Sequence, residues 1–233
     1  MEVSSTRRAR ILFGMRKLLK RLLFPFLNAW YNTKTKKVTM YQRHGLELEI
    51  HPSVFHPGTF LSTNIFIEYL KSREISGLSI LELGAGSGMI SLFCSKMGAK
   101  VTASDINEVA LEALKSNSVK NGHPIEIVHS DLFENLNATD FDLILINPPY
   151  YPKNPRNDKE KAFFCGEDFD YFRRLFVQLK EVNDKAKTLM ILSEDCDIDH
   201  IQSLARANHL NWELVHETIK RREKNFIFEL DKV

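Results

Sequence analysis

The sequence lacks paired cysteines. Its three cysteines, Cys94, Cys165 and Cys196, stand far apart and form no C-x-x-C pair. This pattern argues against a disulfide framework or a zinc knuckle, and it favours a protein of the reducing cytoplasm. The eight histidines include no H-E-x-x-H motif. We therefore predict that the protein holds no metal ion.

Long apolar runs are also missing. Near the start of the chain the longest uncharged run, residues 22–31, is well short of the roughly 20 residues that a helix needs to cross a bilayer. Basic residues recur through the apolar part of residues 7–30, which is not typical of a secretory signal. With 43% hydrophobic and 27% charged residues, the 233-residue chain has the composition of a globular protein with one substantial core.

Acidic residues are nearly absent from residues 1–37. This stretch holds ten Lys or Arg and the single acid Glu2, a net charge of +9, whereas residues 38–233 hold 22 basic and 29 acidic residues, a net charge of −7. Apolar residues recur there in a helical rhythm that Pro25 interrupts. We predict a basic amphipathic helical arm over residues 1–37 and a separate domain over residues 38–233. The arm could dock on phosphates, lie on an anionic membrane surface, or pack on the domain with its charges in water.

Residues 80–88 have the strongest local pattern. An apolar run that contains the single acid Glu82 is followed by Gly84, Gly86 and Gly88. Since glycine permits positive φ and close backbone approach, the pattern predicts a strand that leads through a tight loop into a helix, with a ligand held at the loop. The spacing differs from the G-x-G-x-x-G of dinucleotide-binding proteins, because the third glycine comes one residue early.

From residue 79 onward, predicted strands and helices alternate. The strands span 79–83, 100–104, 125–129, 141–146 and 188–193, and the helices span 89–97, 107–121, 169–182 and 198–207. Two further strands, 212–219 and 224–230, are joined by residues 220–223 and indicate an antiparallel hairpin. The alternation predicts an α/β fold with a doubly wound, mostly parallel seven-stranded sheet that helices cover on both faces.

Residues 38–75 precede this alternation. Alternating apolar and acidic residues over 46–50, after a turn at residues 43–45, predict a hairpin with one solvent-facing side. Ser62 or Thr63 is predicted to cap a helix that runs to about Lys71. Because residues 54–63 lie just upstream of the glycine loop, they could fold over a bound ligand as a lid. A plain loop and helix cap is the alternative.

Polar residues stand at the ends of the next three predicted strands. Asp105 ends the second, Asp131 follows the third, and Asn147 follows the fourth. In an open parallel sheet, ligands bind beyond the carboxyl ends of the strands. The Asp105 carboxylate can accept both hydroxyls of a ribose. Taken singly, Asp105 could also cap a helix and Asp131 could begin a turn.

The tetrapeptide Asn147-Pro148-Pro149-Tyr150 is the most specific motif. Two prolines directly after a buried strand remove backbone donors and restrict the residue before them, so the segment is stiff. The Asn147 side-chain oxygen and the Pro148 carbonyl can accept both hydrogens of a planar amide or amine and orient its nitrogen. Tyr150 can stack on a flat group beside that nitrogen.

These motifs together resemble the class I S-adenosylmethionine-dependent methyltransferases, in particular the small-domain amino-methyltransferases of the HemK type, over roughly residues 54–230. The resemblance implies a Rossmann-like fold and S-adenosylmethionine as cofactor. It implies a catalytic role for the NPPY residues Asn147, Pro148, Pro149 and Tyr150, and cofactor contacts from Glu82, Gly84, Ala85, Gly86, Gly88, Asp105, Ile106, Asp131, Leu132 and Asn147. Residues 162–168 also resemble HemK proteins, but those usually carry two glycines where this chain has only Gly166.

The resemblance implies an S-adenosylmethionine-dependent N-methyltransferase that acts on a planar amide or amine nitrogen. A HemK-like protein glutamine methyltransferase is the favoured activity, with a translation factor or ribosomal protein as substrate. Methylation of adenine or another exocyclic amine in RNA or DNA is the alternative, and clustered basic residues in the arm suit RNA phosphates or another anionic surface. A non-catalytic cofactor-binding domain, docked by its arm on RNA or membrane, is a further alternative. Glycine spacing disfavours a nicotinamide-dependent oxidoreductase.

Overall fold

The computed structural model describes residues 37–233, so all but the last residue of the predicted arm lies outside the described residues. The helices and strands follow in chain order as β1 (Thr39–Arg43), β2 (Leu46–Ile50), α1 (Ser62–Leu70), β3 (Ser79–Leu83), α2 (Met89–Lys96), β4 (Lys100–Asp105), α3 (Glu108–Asn121), β5 (Glu126–His129), β6 (Leu143–Ile146), α4 (Asp158–Lys161), α5 (Asp170–Gln178), β7 (Lys187–Ser193), α6 (Ile198–Ala207), β8 (Leu210–Lys220) and β9 (Glu223–Lys232). None of the helices over residues 37–233 has both the length and the hydrophobicity that a membrane-spanning segment needs.

Seven strands form one sheet in the order β5-β4-β3-β6-β7-β9-β8. Neighbouring strands from β3 to β7 pair in parallel, and β9 is antiparallel to both β7 and β8. This architecture confirms the predicted α/β fold with a doubly wound, mostly parallel sheet and an antiparallel C-terminal hairpin. The strand order reverses between β3 and β6. In open α/β sheets, ligands bind outside the carboxyl ends of the strands at such a switch point.

Both faces of the sheet are buried. Successive side chains of a strand point to opposite faces. In β6, Ile144 and Ile146 join an apolar cluster with Phe172 and Phe176 of α5, whereas Leu145 joins a second cluster that includes residues of α1 and α2. Burial on both sides explains why β6 is a continuous apolar run rather than an alternating one.

The N-terminal hairpin forms as predicted. β1 and β2 pair antiparallel in a separate two-stranded sheet. His44 and Gly45 form its two-residue turn with φ of 54° and 70°, the backbone conformation that matches the twist of a hairpin. Leu46, Leu48 and Ile50 are buried against the domain, so one side of the hairpin faces the core.

Helix α1 begins at Ser62, but neither Ser62 nor Thr63 caps it. Leu61 precedes the helix without a side-chain hydrogen bond to it. The Leu61 side chain packs against the second apolar cluster. Packing rather than a polar cap therefore sets the start of α1, and the predicted cap is wrong. The helix ends at Leu70, one residue before the predicted end.

Further differences from the sequence prediction lie at the C-terminal hairpin and in the chain after the tetrapeptide. The C-terminal hairpin is longer than predicted, because Arg221 and Arg222 alone form its turn with φ of 50° and 63°. Glycine or asparagine is usual at such positions, so nothing in the sequence indicated so tight a turn. Helix α4 was not predicted. The Asn157 side chain caps it by accepting a hydrogen bond from Glu160 N–H at 3.0 Å.

Candidate active site

The glycine loop follows β3 at the switch point. Gly84 and Gly86 have φ of 70° and 53°, a left-handed conformation that glycine adopts without strain. Ala85 N–H donates to Ser104 O at 2.9 Å, and Gly86 N–H donates to Asp105 Oδ2 at 2.8 Å. Strand β4 therefore fixes the backbone of the loop next to it.

Gly88 has a different role from the other two glycines. It stands just before α2 with φ of 80°, and a Cβ at this position would overlap the Leu114 side chain of α3. Gly88 is not among the residues that line the adjacent cavity. Because Gly88 has no side chain, α3 can pack against the loop. The structure therefore supports a packing role for Gly88 and does not support the predicted cofactor contact.

Glu82 is the buried acid of this region and is only 4% exposed. Its Oε2 accepts a hydrogen bond from Ser91 N–H at 2.7 Å and another from the Ser91 hydroxyl, which ties β3 to α2. Burial outweighs these bonds and raises the pKa of Glu82 to about 8, and the nearby Asp105 carboxylate acts in the same direction. Glu82 lines the cavity, and a cationic group of a ligand beside it would favour its ionised form.

Asp105 ends β4 and holds the loop rather than capping a helix. Its Oδ2 accepts from Gly86 N–H, and its Oδ1 accepts from Asn107 N–H at 2.9 Å. The cap of α3 is Asn107, whose side chain accepts from Val109 N–H at 3.0 Å. Burial raises the pKa of Asp105, partly offset by the backbone donors around it. Asp105 also lines the cavity.

Asp131 and Leu132 follow β5 and line the cavity together with Ile106. Asp131 forms an ion pair with Arg174 of α5 at 2.8 Å, a partner for which the local sequence has no signal. Leu132 has φ of 53°, and its carbonyl accepts from the Ser130 hydroxyl at 2.8 Å. Ser130 therefore stabilises a turn that brings an acid and an apolar residue to the cavity wall.

The tetrapeptide and the glycine loop reach the same cavity because their strands are neighbours. Ile146 of β6 pairs with Leu83 of β3, so Asn147 follows its strand at the level where Gly84 follows the other. Asn147, Pro148, Pro149 and Tyr150 all line the cavity, and Pro148 is buried. Every predicted site residue except Gly88 therefore surrounds one space.

Tyr150 is held by the core as well as facing the cavity. It packs against the first apolar cluster, and its ring centroid lies 4.7 Å from that of Tyr151. Burial raises the pKa of Tyr150 well above its ordinary range, although a hydrogen bond with Ser193 acts in the opposite direction. Tyr150 is thus a neutral phenol in a fixed position. Its stacking on a substrate stays a prediction.

Tyr151, the residue after the tetrapeptide, forms an isolated parallel bridge with Phe164. Tyr151 N–H donates to Phe163 O at 3.0 Å, and Cys165 N–H donates to Tyr151 O at 3.0 Å. Between these paired residues, the segment that contains α4 forms another wall of the cavity through Asn154, Asp158 and other residues.

Three phenylalanines pack together above the cleft. Ring centroids are 4.9 Å apart for Phe55 and Phe60, 5.6 Å for Phe60 and Phe163, and 5.9 Å for Phe55 and Phe163. We call these residues the aromatic roof. The roof joins residues 51–61 to the segment that follows the tetrapeptide, and all three rings line the cavity. Nothing in the local sequence pattern linked these positions.

The residues around the cavity fit S-adenosylmethionine. The volume of the cavity is about 340 Å³, within the usual range of small-molecule sites. The carboxyl groups of the buried Glu82 and the half-buried Asp105 suit an ammonium group and ribose hydroxyls, and the apolar Ile106 and Leu132 suit an adenine ring. Among residues 37–233, no group of three or more His, Cys, Asp or Glu is arranged to hold a metal ion.

This fold and this cavity define a class I methyltransferase. The family model for the methyltransferase small domain matches residues 45–168, and the chain belongs to that family. The chain therefore carries the small domain that this family of methyltransferases shares. This assignment confirms the resemblance that the sequence motifs indicated.

Known relatives act on different substrates. A Methanocaldococcus jannaschii protein, provisionally named a protein N5-glutamine methyltransferase, is 38% identical over 109 residues, which cover 46% of this chain and 53% of that protein. The match thus spans about half of that relative's length. An E. cuniculi complex that is responsible for the methylation of a translation termination factor is similar in fold. The match to one of its chains has a TM-score of 0.61 at 18% identity, and it covers 78% of this chain and 99% of that chain.

A T. thermophilus 16S rRNA methyltransferase, solved with S-adenosylmethionine and guanosine, also has a TM-score of 0.61 at 18% identity, over 84% of this chain and 50% of that chain. At these identities the two solved structures establish the fold alone. Their fold matches the doubly wound sheet of this chain, and their substrates, a protein and an RNA, do not identify the acceptor.

Proposed function

We propose that this chain methylates a planar amide nitrogen, with the glutamine side chain of a protein as its acceptor. The observation that carries the proposal is the position of Asn147, which follows β6 at the level where Gly84 follows β3 in the neighbouring strand. The acceptor nitrogen and the methyl donor would then meet in one cavity. The provisional name of the M. jannaschii relative supports glutamine as the acceptor.

The chain's own residues can orient a poor nucleophile. The bound cofactor supplies an electrophilic methyl group on a sulfonium. Asn147 Oδ1 and the Pro148 carbonyl accept the two hydrogens of the acceptor nitrogen, which directs its lone pair toward that methyl group. Pro148 and Pro149 restrict the backbone, so these two acceptors lose little freedom when the substrate binds. Transfer would form a bond between the acceptor nitrogen and the methyl carbon and break the bond between that carbon and sulfur. The sulfonium would then leave as a neutral thioether, and the nitrogen would release one of its two hydrogens as a proton to solvent.

The aromatic roof excludes water from this step. Phe55, Phe60 and Phe163 are partly exposed and line the cavity, so a bound acceptor would cover apolar surface that water otherwise contacts. Removing water strengthens the hydrogen bonds that Asn147 makes to the acceptor.

A base in RNA is the second candidate acceptor. The aromatic roof favours it, because flat rings stack on nucleobases of any sequence, and the T. thermophilus neighbour was solved with guanosine. In this case we propose that the basic residues of 1–37 contact RNA phosphates. For either acceptor we propose a cytoplasmic location, which the three buried free thiols support.

Labelled methyl transfer to separated fractions tests the proposal. The full chain is incubated with S-adenosylmethionine labelled in the methyl group and with protein or RNA fractions from cells. We expect label in protein, recovered as N5-methylglutamine after proteolysis, and none with Asn147→Ala. Label confined to RNA would favour the second candidate. No transfer to either fraction, with cofactor binding intact, would favour the non-catalytic alternative.

A further inference from the structure

Two asparagines of α3 occupy the second edge of β2. β1 pairs with the first edge. At the other edge, Asn117 Oδ1 accepts from Glu49 N–H at 2.8 Å, and Asn117 Nδ2 donates to Glu49 O at 3.1 Å. One helical turn later, Asn121 makes the same pair of bonds with Glu47 N–H at 2.9 Å and Glu47 O at 2.8 Å. Two side-chain amides thus take the place of a third strand.

Asn117 makes one contact that Asn121 lacks. Its Nδ2 also donates to Ser87 O in the glycine loop at 3.2 Å, whereas Asn121 Nδ2 donates to Asn117 O in its own helix at 2.8 Å. Asn117 is fully buried, with 0% of its surface exposed, so water cannot replace a lost bond there. One side chain therefore links β2 directly to the glycine loop.

Ser87 and Glu49, the two residues that Asn117 connects, both lie in segments that reach the cofactor cleft. Ser87 lines the cavity. Glu49 lies one residue before the end of β2, and the chain continues into residues 51–61, where Val54 and Phe55 lie next to Gly86. Within that segment, Phe55 Cβ lies 3.9 Å from where a Cβ on Gly86 would stand. The glycine loop and the strand that leads into residues 51–61 are thus both hydrogen-bonded to the side-chain amide of Asn117.

We infer that Asn117 is a positioning residue for the cofactor: it sets the separation between the glycine loop and residues 51–61, and so the shape of the slot that S-adenosylmethionine enters. Asn117 does not line the cavity and acts through Ser87 and Glu49. Gly88 belongs to the same arrangement, because its missing side chain admits Leu114 of α3 and brings that helix close to the loop. The role does not depend on which acceptor is methylated.

The test compares Asn117→Ala with Asn121→Ala, a matched control on the same helix. Each variant removes a pair of hydrogen bonds to β2, but only Asn117→Ala cuts the bond to the loop. We expect calorimetric titration of the full chain to show S-adenosylmethionine binding about tenfold weaker or more in Asn117→Ala and little changed in Asn121→Ala. Similar weakening in both variants, or none in Asn117→Ala, would overturn the assignment.

A measurement on the unmodified chain covers the case in which Asn117→Ala does not fold. Amide hydrogen exchange is followed by NMR with and without S-adenosylmethionine. Since Glu49 N–H is bonded to the side chain that also holds the loop, its exchange should slow on cofactor binding more than that of Glu47 N–H. Equal slowing at the two amides, or more slowing at Glu47, contradicts coupling through Asn117.

Discussion

The proposed cofactor side and the proposed acceptor side of the cleft are held in place by different interactions. The cofactor side consists of Glu82, Gly84, Gly86, Asp105 and Asp131, all at or just after strand ends and mostly held by bonds to neighbouring backbone. The acceptor side consists of Asn147, Tyr150 and the aromatic roof, which combine one strand end with three rings from two loop segments.

We therefore expect the residues of the cofactor side to be rigid and those of the acceptor side to be able to change position. Strand ends cannot shift without breaking the hydrogen bonds of the sheet, whereas partly exposed rings repack at lower cost. A fixed half suits a cofactor that does not change, and an adaptable half suits acceptors that differ between relatives. Substitutions on the cofactor side should therefore change cofactor affinity, and those on the acceptor side should change turnover and acceptor affinity.

Asn147→Ala should have the largest effect. Removing a positioned hydrogen-bond acceptor at the reacting nitrogen should lower kcat by about 10²–10³-fold, with the Kd for S-adenosylmethionine little changed. Single-turnover methyl transfer and calorimetry measure the two quantities. Asn154→Ala is the matched control, because Asn154 lines the same cavity away from β6. A comparable fall in kcat for both variants would contradict the assigned role.

Asp105→Ala should weaken cofactor binding by about 10–100-fold, because it removes a charged acceptor for the cofactor and the anchor of Gly86 N–H. Titration with S-adenosylmethionine gives the Kd directly. Asp158→Ala serves as control, since this carboxylate also lines the cavity but pairs with Lys161 at 2.9 Å. Equal losses would mean that general charge, and not the position at the end of β4, controls affinity.

Phe60→Leu should raise the acceptor KM by about fivefold or more if the acceptor is a nucleobase, since stacking on one ring contributes about 1–3 kcal/mol. A smaller rise is expected for a glutamine side chain. Phe60→Tyr keeps the flat ring and should restore the KM. Cofactor Kd should stay constant in both variants. A change in cofactor Kd without a change in acceptor KM would show that Phe60 contacts the cofactor and not the acceptor.

Glu82→Gln should change the pH dependence of stability, the smallest effect of the four. Between the ordinary pKa of 4.5 and about 8, the folded protein keeps a proton on Glu82 that the unfolded chain releases. The free energy of unfolding therefore falls as pH rises through this window. Asp105 acts in the same direction in both proteins, so the difference between their Tm-against-pH curves isolates Glu82. A difference that does not vary with pH would contradict the raised pKa.

Local sequence predicted most of the cofactor side. The apolar strand, the acid and the glycines fall within residues 80–88, so their arrangement depends on backbone preferences of neighbours in the chain. The start of α1 and the turn at Arg221 and Arg222 were not predictable in this way. Packing of Leu61 sets the first, and pairing of the long strands β8 and β9 holds the second in a conformation that arginine rarely adopts.

The sequence by itself determined the alternation of strands and helices along residues 79–230 and the identity of the residues at the strand ends, because hydrophobic period and glycine spacing act over short distances along the chain. Only the tertiary structure decided that Phe60 and Phe163 face the cleft while Phe133 joins the core. It alone decided that Asn117 reaches Ser87 and Arg174 reaches Asp131, pairs that are 30 and 43 residues apart. Such contacts depend on which faces pack together, and packing is a property of the whole fold.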